Sequence, residues 1–142
     1  MAAQQTVGVV GLGLIGGSLG LDLQARGCWV QGLVHRPSTA ERAVERGLAN
    51  AVSTDPACLA HCDLVILALP IPLLLKPDPV LVAALPDTAV VTDVASVKAP
   101  VLAVWRDCHP RFVASHPMAG TEHAGVEAVS YTHLRAHETQ RN

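Results

Sequence analysis

Thr6-Val7-Gly8-Val9-Val10-Gly11-Leu12-Gly13-Leu14-Ile15-Gly16-Gly17 is a β-prone run that breaks into glycines. It then continues as a helical pattern through Leu19, Leu21, Leu23 and Ala25, ending at Gly27. The order is strand, glycine turn, helix, and only in that order does G-x-G-x-x-G carry meaning. The first glycine permits a tight bend, the second lets the backbone approach a pyrophosphate, and the third lets the helix pack closely on the strand. Backbone N–H groups at the helix start favour an anion, so Gly11, Gly13, Leu14, Ile15 and Gly16 are candidate dinucleotide-binding residues. The bland alternative is a glycine turn needed for packing alone.

Working outward, the chain keeps alternating. Trp29 to Val34 reads as a second strand. Ser38 can cap a helix with Glu41 in the capping-box position, and Gly47 ends it. Ala49 to Ser53 reads as a short strand, Asp55 caps a brief helix to His61, and Leu64 to Leu69 is a continuous apolar run of the kind buried on both faces of a sheet. Pro72 to Leu85 has the apolar density of a crossover helix, but Pro77 and Pro79 each remove a backbone donor and break it. Ala89 to Asp93 is a strand, Ser96 to Trp105 a helix and Arg111 to Ala114 a strand. This βαβ alternation predicts an α/β fold, a Rossmann-type doubly wound parallel sheet.

Composition narrows the function classes. With 142 residues the chain suits one domain, and an apolar fraction of 50% is ample for a core. A net charge of −2 supplies no basic stripe for a nucleic acid. The longest apolar stretch, Leu64 to Leu75, is interrupted by Pro70 and Pro72 and falls short of the ~20 residues that span a bilayer, so neither nucleic acid nor membrane is an expected partner. Met1 to Gln5 lacks the basic and apolar regions of a secretory signal, which predicts a cytoplasmic protein. Cys28, Cys58, Cys62 and Cys108 form no C-x-x-C pair and read as small buried apolar residues. Cys58, His61 and Cys62 lack the fourth ligand of a closed zinc site, so no metal is expected.

Cofactor choice is read at the end of the second strand, where NAD-specific folds place an acidic side chain for the ribose hydroxyls. Here the chain has Val34-His35-Arg36-Pro37-Ser38-Thr39. A guanidinium beside hydroxyls suits a 2′-phosphate, so His35, Arg36 and Ser38 point to NADP in preference to NAD; the alternative is a solvated loop cation. Leu69 and Pro70 follow the central strand and are placed against the bound nucleotide by position alone.

Chemistry is carried by Thr92-Asp93-Val94-Ala95-Ser96-Val97-Lys98 and Ser115-His116-Pro117-Met118-Ala119-Gly120, which put a hydroxyl and an imidazole at the ends of successive strands. Ligands of open α/β sheets bind outside those ends, and histidine titrates near neutrality and can accept a proton as hydride leaves the same carbon. Ser96 and His116 are therefore the candidate catalytic pair, Ser96 also facing the cofactor. Read structurally instead, Ser96 would be a helix N-cap and His116 a hydrogen-bonded core imidazole.

Residues 129–142 break the chain's character: Val129-Ser130-Tyr131-Thr132-His133-Leu134-Arg135-Ala136-His137-Glu138-Thr139 is polar and aperiodic and resembles the in-frame translation of a transposase-type sequencing-library adaptor. The expected organisation is a nucleotide-binding domain over 1–128 and a read-through tail over 129–142. Without Arg135, Arg141 and Glu138 the chain holds eight basic and eleven acidic residues, a net charge of −3, and the charge argument is unchanged.

Gly11-Leu12-Gly13-Leu14-Ile15-Gly16-Gly17-Ser18, the Thr92 to Lys98 segment and His116-Pro117-Met118-Ala119-Gly120-Thr121-Glu122 together resemble the prephenate/arogenate dehydrogenase family of tyrosine biosynthesis, in its cyanobacterial-like form. The resemblance covers nearly everything before Val129. It implies NAD(P)-dependent oxidative decarboxylation of prephenate or arogenate. By position His116 matches the histidine that hydrogen-bonds the substrate C4 hydroxyl, Ser96 a serine near that hydroxyl and the nicotinamide, and Thr121 and Glu122 positions lining the substrate entrance. It also implies a helical second domain that builds a homodimer and supplies basic residues for the substrate carboxylates. The chain ends before such a domain, so it is expected to bind cofactor without turning over substrate. A β-hydroxyacid dehydrogenase or related NADP-dependent reductase, and a non-catalytic nucleotide-sensing module, share the glycine turn and remain the alternatives.

Overall fold

The computed structural model describes residues 4–96 and 98–115. Six strands form one sheet: β1 (Thr6–Val10), β2 (Trp29–Leu33), β3 (Ala51–Ser53), β4 (Leu64–Leu67), β5 (Val90–Asp93) and β6 (Phe112–Val113). Every pairing is parallel and the order is β3-β2-β1-β4-β5-β6, the doubly wound arrangement expected from the alternation.

Between the strands lie α1 (Leu14–Ala25), α2 (Pro37–Glu45), a 3-10 turn (Pro56–Leu59), α3 (Ile71–Leu74), α4 (Pro79–Ala84) and α5 (Ala99–Trp105). The side-chain period of two in a strand sends alternate residues of β4 to opposite faces. Leu64 and Ile66 pack with Leu19 and Leu23 of α1, while Val65 and Leu67 pack with Leu81 of α4 and Val101 and Trp105 of α5. All four β4 side chains are buried, which is why that strand reads as an unbroken apolar run.

Prolines decide several boundaries. The crossover after β4 is split into α3 and α4, with Pro77 in the break and Asp78 capping α4 by accepting the Val80 N–H at 2.9 Å. Asp55 caps the 3-10 turn in the same way, accepting from Ala57 at 3.0 Å. Two expected helix starts are corrected. Helix α2 starts at Pro37 with Arg36 as N-cap and no side-chain cap bond, so Ser38 and Glu41 form no capping box; proline is preorganised for the first helical position and sets the start two residues early. Helix α5 starts at Ala99, followed by Pro100, so Ser96 lies outside it and is not its cap.

Tertiary bonds anchor the far side of the sheet. The Trp105 indole donates to the Leu74 carbonyl at 2.8 Å and its ring stacks on Phe112. His109, also buried, accepts the Arg111 N–H at Nδ1, leaving Nε2 to donate to the Pro86 carbonyl at 2.8 Å. This is a structural imidazole in its Nε2–H tautomer.

Two glycines of the turn are required by the backbone. Gly11 has φ 93°, and a Cβ there would lie 2.6 Å from the Ala68 carbonyl oxygen. At Gly16 a Cβ would lie 1.8 Å from the Gly11 carbonyl oxygen, so α1 touches the β1 loop directly. Gly13 is different, with nothing within 4 Å of an added Cβ. Substituting Gly16→Ala should therefore cost about 3 kcal/mol of stability, the upper end of overpacking, whereas Gly13→Ala should stay within about 0.5 kcal/mol. Urea unfolding of both variants checks the contrast, and equal losses would refute it.

The cysteines correct a uniform expectation: only Cys62 is buried, and Cys28, Cys58 and Cys108 are half-buried near element ends. Burial, with Cys58 and Asp63 adding, pushes the Cys62 thiol up to about 12 from 9.0. An unfolded thiol ionises near 9.0 while the native one holds its proton to about 12, so this contribution to stability is whole below pH 9 and is lost as pH climbs toward 12. Cys62→Ala should flatten that alkaline decline, measured as unfolding free energy at pH 8 and pH 10.5; an unchanged slope would count against the assignment.

Candidate dinucleotide-binding and catalytic site

Register brings four strand ends level. Val10 pairs with Leu33 of β2 and with Leu67 of β4, and Leu67 pairs with Asp93 of β5. With neighbouring strands ~4.8 Å apart, the loops after β2, β1, β4 and β5 leave one edge across ~14 Å. The strand order reverses between β1 and β4, the crevice where nucleotides bind in open α/β sheets.

At the centre of that edge, α1 begins without a side-chain cap and without an acidic residue in its first turn. The first N–H with an intrahelical partner in this turn is that of Gly17, which donates to Gly13 at 2.7 Å. The N–H groups before it are the orphan donors of a helix start. Leu14 is 90% exposed and Ile15 57%, so the approach is open. Open Gly13, donors without carboxylate competition and the dipole of a 12-residue helix fit a pyrophosphate. Gly11, Gly13, Leu14, Ile15 and Gly16 are thus brought together. Leu69 joins them, its side chain 3.3 Å from where a Gly11 Cβ would stand, and Pro70 is exposed as the N-cap of α3.

To one side, β2 ends in buried Leu33 and is followed by buried Val34, after which His35, Arg36 and Ser38 are exposed. The first turn of α2 holds no acidic residue. A carboxylate that would repel a 2′-phosphate is absent from this turn.

To the other side, β5 ends at Asp93, whose side chain is fully buried. Its Oδ2 accepts the Ala95 N–H at 3.0 Å and the Lys98 ammonium at 2.7 Å, and its Oδ1 accepts the Ser115 N–H at 3.3 Å. Ser96 is exposed on the loop this carboxylate organises. Sequence alone gives Asp93, Lys98 and Ser115 no role. The available signal was an acidic residue closing an apolar strand, which must find donors if it is buried. His116, Thr121 and Glu122 lie outside the described residues. Among the described residues no group of three His, Cys, Asp or Glu side chains could hold a metal, and no helix is long and apolar enough to cross a membrane.

The family model for the prephenate dehydrogenase nucleotide-binding domain matches residues 19–138, beginning inside α1 and running past Ala128. No curated protein matches the chain. Among solved structures, an arogenate dehydrogenase from Synechocystis is 42% identical over 82% of this chain and 42% of its own, with a TM-score of 0.68. A prephenate dehydrogenase from A. aeolicus, solved with hydroxyphenyl propionate and NAD+, is 32% identical over 89% of this chain and 46% of its own, with a TM-score of 0.72. The 3-hydroxyisobutyrate dehydrogenase of Mycobacterium tuberculosis, at 23% identity and a TM-score of 0.67, shares the fold. The chain spans less than half the length of each. With the family match covering most of its residues, the chain belongs to the prephenate dehydrogenase family, and the sheet described above is that family's nucleotide-binding domain.

Proposed function

We propose that this chain is the cofactor-binding half of an enzyme that oxidatively decarboxylates prephenate or arogenate in tyrosine biosynthesis, with NADP preferred over NAD. The observation that carries the reading is the level edge of strand ends, which sets an open helix start, an exposed Arg36 and an exposed Ser96 side by side. A bound NAD(P)+, held by the α1 start, would supply the acceptor for the hydride that leaves C4 of the cyclohexadiene. His116 takes the proton of the C4 hydroxyl, and Ser96 hydrogen-bonds that hydroxyl and keeps it oriented. As the ring carboxylate departs as CO2 the ring becomes aromatic, which supplies the driving force. The hydroxyphenyl propionate in the A. aeolicus structure carries a hydroxyphenyl group, as the aromatic product of this reaction would, and so supports the reading.

Arg36 supplies the charge and fork of donors for a 2′-phosphate, with His35 and Ser38 beside it. Thr121 and Glu122 line the substrate entrance. Substrate carboxylates are met by basic residues of a second, helical domain, through which the complete enzyme dimerises in the cytoplasm. We place the end of the nucleotide-binding domain at Ala128 and read residues 129–142 as read-through, although the family match runs on to residue 138; genomic coverage continuing unbroken through their codons would refute that boundary.

Titration of the chain should give a dissociation constant for NADP about tenfold below that for NAD, as a charge-assisted contact implies. Arg36→Ala should erase the difference while leaving NAD binding within about twofold. A preference for NAD in the parent overturns the cofactor assignment.

Turnover is tested in a polypeptide extended to its relatives' full length, with the 142-residue chain alone expected to give none. There His116→Asn should lower kcat by about 10³-fold, within the span of general acid–base catalysis, with cofactor affinity retained. Turnover that survives this substitution would favour a reductase of another kind.

A further inference from the structure

We infer that Asp93 is a positioning residue for this reaction, its carboxylate locking the Ser96 loop and the segment ending at Ser115 into one arrangement. The inference rests on the roles given above to Ser96 and His116. Three donors converge on Asp93: the Ala95 N–H, the Lys98 ammonium and the Ser115 N–H, at 3.0, 2.7 and 3.3 Å. Ala95 immediately precedes Ser96, and Ser115 immediately precedes His116 in the sequence. The Asp93 side chain is wholly buried, and that of Lys98 is 12% exposed.

Stability alone does not call for a carboxylate here. Desolvating an ion pair offsets most of its attraction, and an apolar replacement of a buried pair is often neutral. What an apolar side chain cannot do is accept from two backbone amides 20 residues apart at once. Asparagine cannot do it either, since it has one acceptor oxygen and turns a donor toward donors. The Thr92 hydroxyl, which donates to the Val113 carbonyl, ties the same two segments one residue earlier. Two adjacent residues of β5 thus cross-link the loops that carry the reacting side chains.

The test compares Asp93→Asn with Asp93→Asn/Lys98→Met in the full-length polypeptide, the second change removing the ammonium left without its partner. The double variant should melt within a few degrees of the parent and bind NADP within about twofold, while kcat falls about 100-fold, as a displacement of ~1 Å at a reacting group can cost. Recovery of parental kcat together with stability would show that the pair is only a structural ion pair and overturn the inference. The His116→Asn variant separates the two failures: if it keeps its turnover, the catalytic assignment has failed, and if it collapses while the double variant keeps its kcat, only the role of Asp93 has. Should neither Asp93 variant fold, amide hydrogen exchange in the unsubstituted protein decides. The Ala95 and Ser115 amides are expected to be protected as strongly as those of β5, and exchange of either at the rate of an open loop overturns the inference.

Discussion

Parallel pairing of β4 between β1 and β5 is the constraint on which the rest of the domain depends. Val65, Ile66 and Leu67 have no exposed surface. Burying an aliphatic side chain of this size contributes about 1.5–3 kcal/mol, so each is a substantial share of a domain's net stability of about 5–15 kcal/mol. The same strand sets the level of its neighbours, because pairing Leu67 with both Val10 and Asp93 places the β1 turn and the β5 loop at one height. A one-residue slip would turn the apolar side chains of β4 to the wrong faces and part the loops.

On that frame the two sides of the crevice are built by different physics. The glycine-turn side is made by what is missing: Gly16 has no Cβ to hold α1 off the Gly11 carbonyl, and the first turn of α1 has no carboxylate. Helix donors and dipole are left facing solvent. The β5 side is made by an added charge, the Asp93 carboxylate, placed where three donors meet it. Such a charge is costly to bury and tolerates little displacement, so it suits a place where geometry matters more than stability.

Where local patterns misled, a neighbouring proline had the stronger claim. Ser38 with Glu41 has the spacing of a capping box, yet Pro37 occupies the first helical position and makes Arg36 the cap. Ser96 could cap the last helix, yet that helix begins at Ala99, with Pro100 in its first turn. Both corrections leave polar side chains exposed on the strand-end loops instead of folded back onto their helices, and so leave Arg36, Ser38 and Ser96 facing outward from the edge. The cysteines misled for another reason. Side-chain type alone does not distinguish Cys62, beneath the sheet, from Cys28, Cys58 and Cys108 near element ends.

Taken by itself, the amino-acid sequence determined the elements, the doubly wound class and the family. Glycine spacing, proline breaks and the apolar run from Leu64 act through the backbone over a few residues, and the motifs around Gly11 and Ser96 are contiguous stretches. Tertiary structure alone decided what those elements do to one another. It set the level of the four strand ends, the contact of Gly16 with Gly11 across the turn, the Trp105 bond to Leu74 and the meeting of Asp93 with Ser115. The physical reason is distance along the chain: a buried donor or acceptor must be satisfied, but residue type does not say by which partner, and only the packed sheet brings that partner within hydrogen-bond reach.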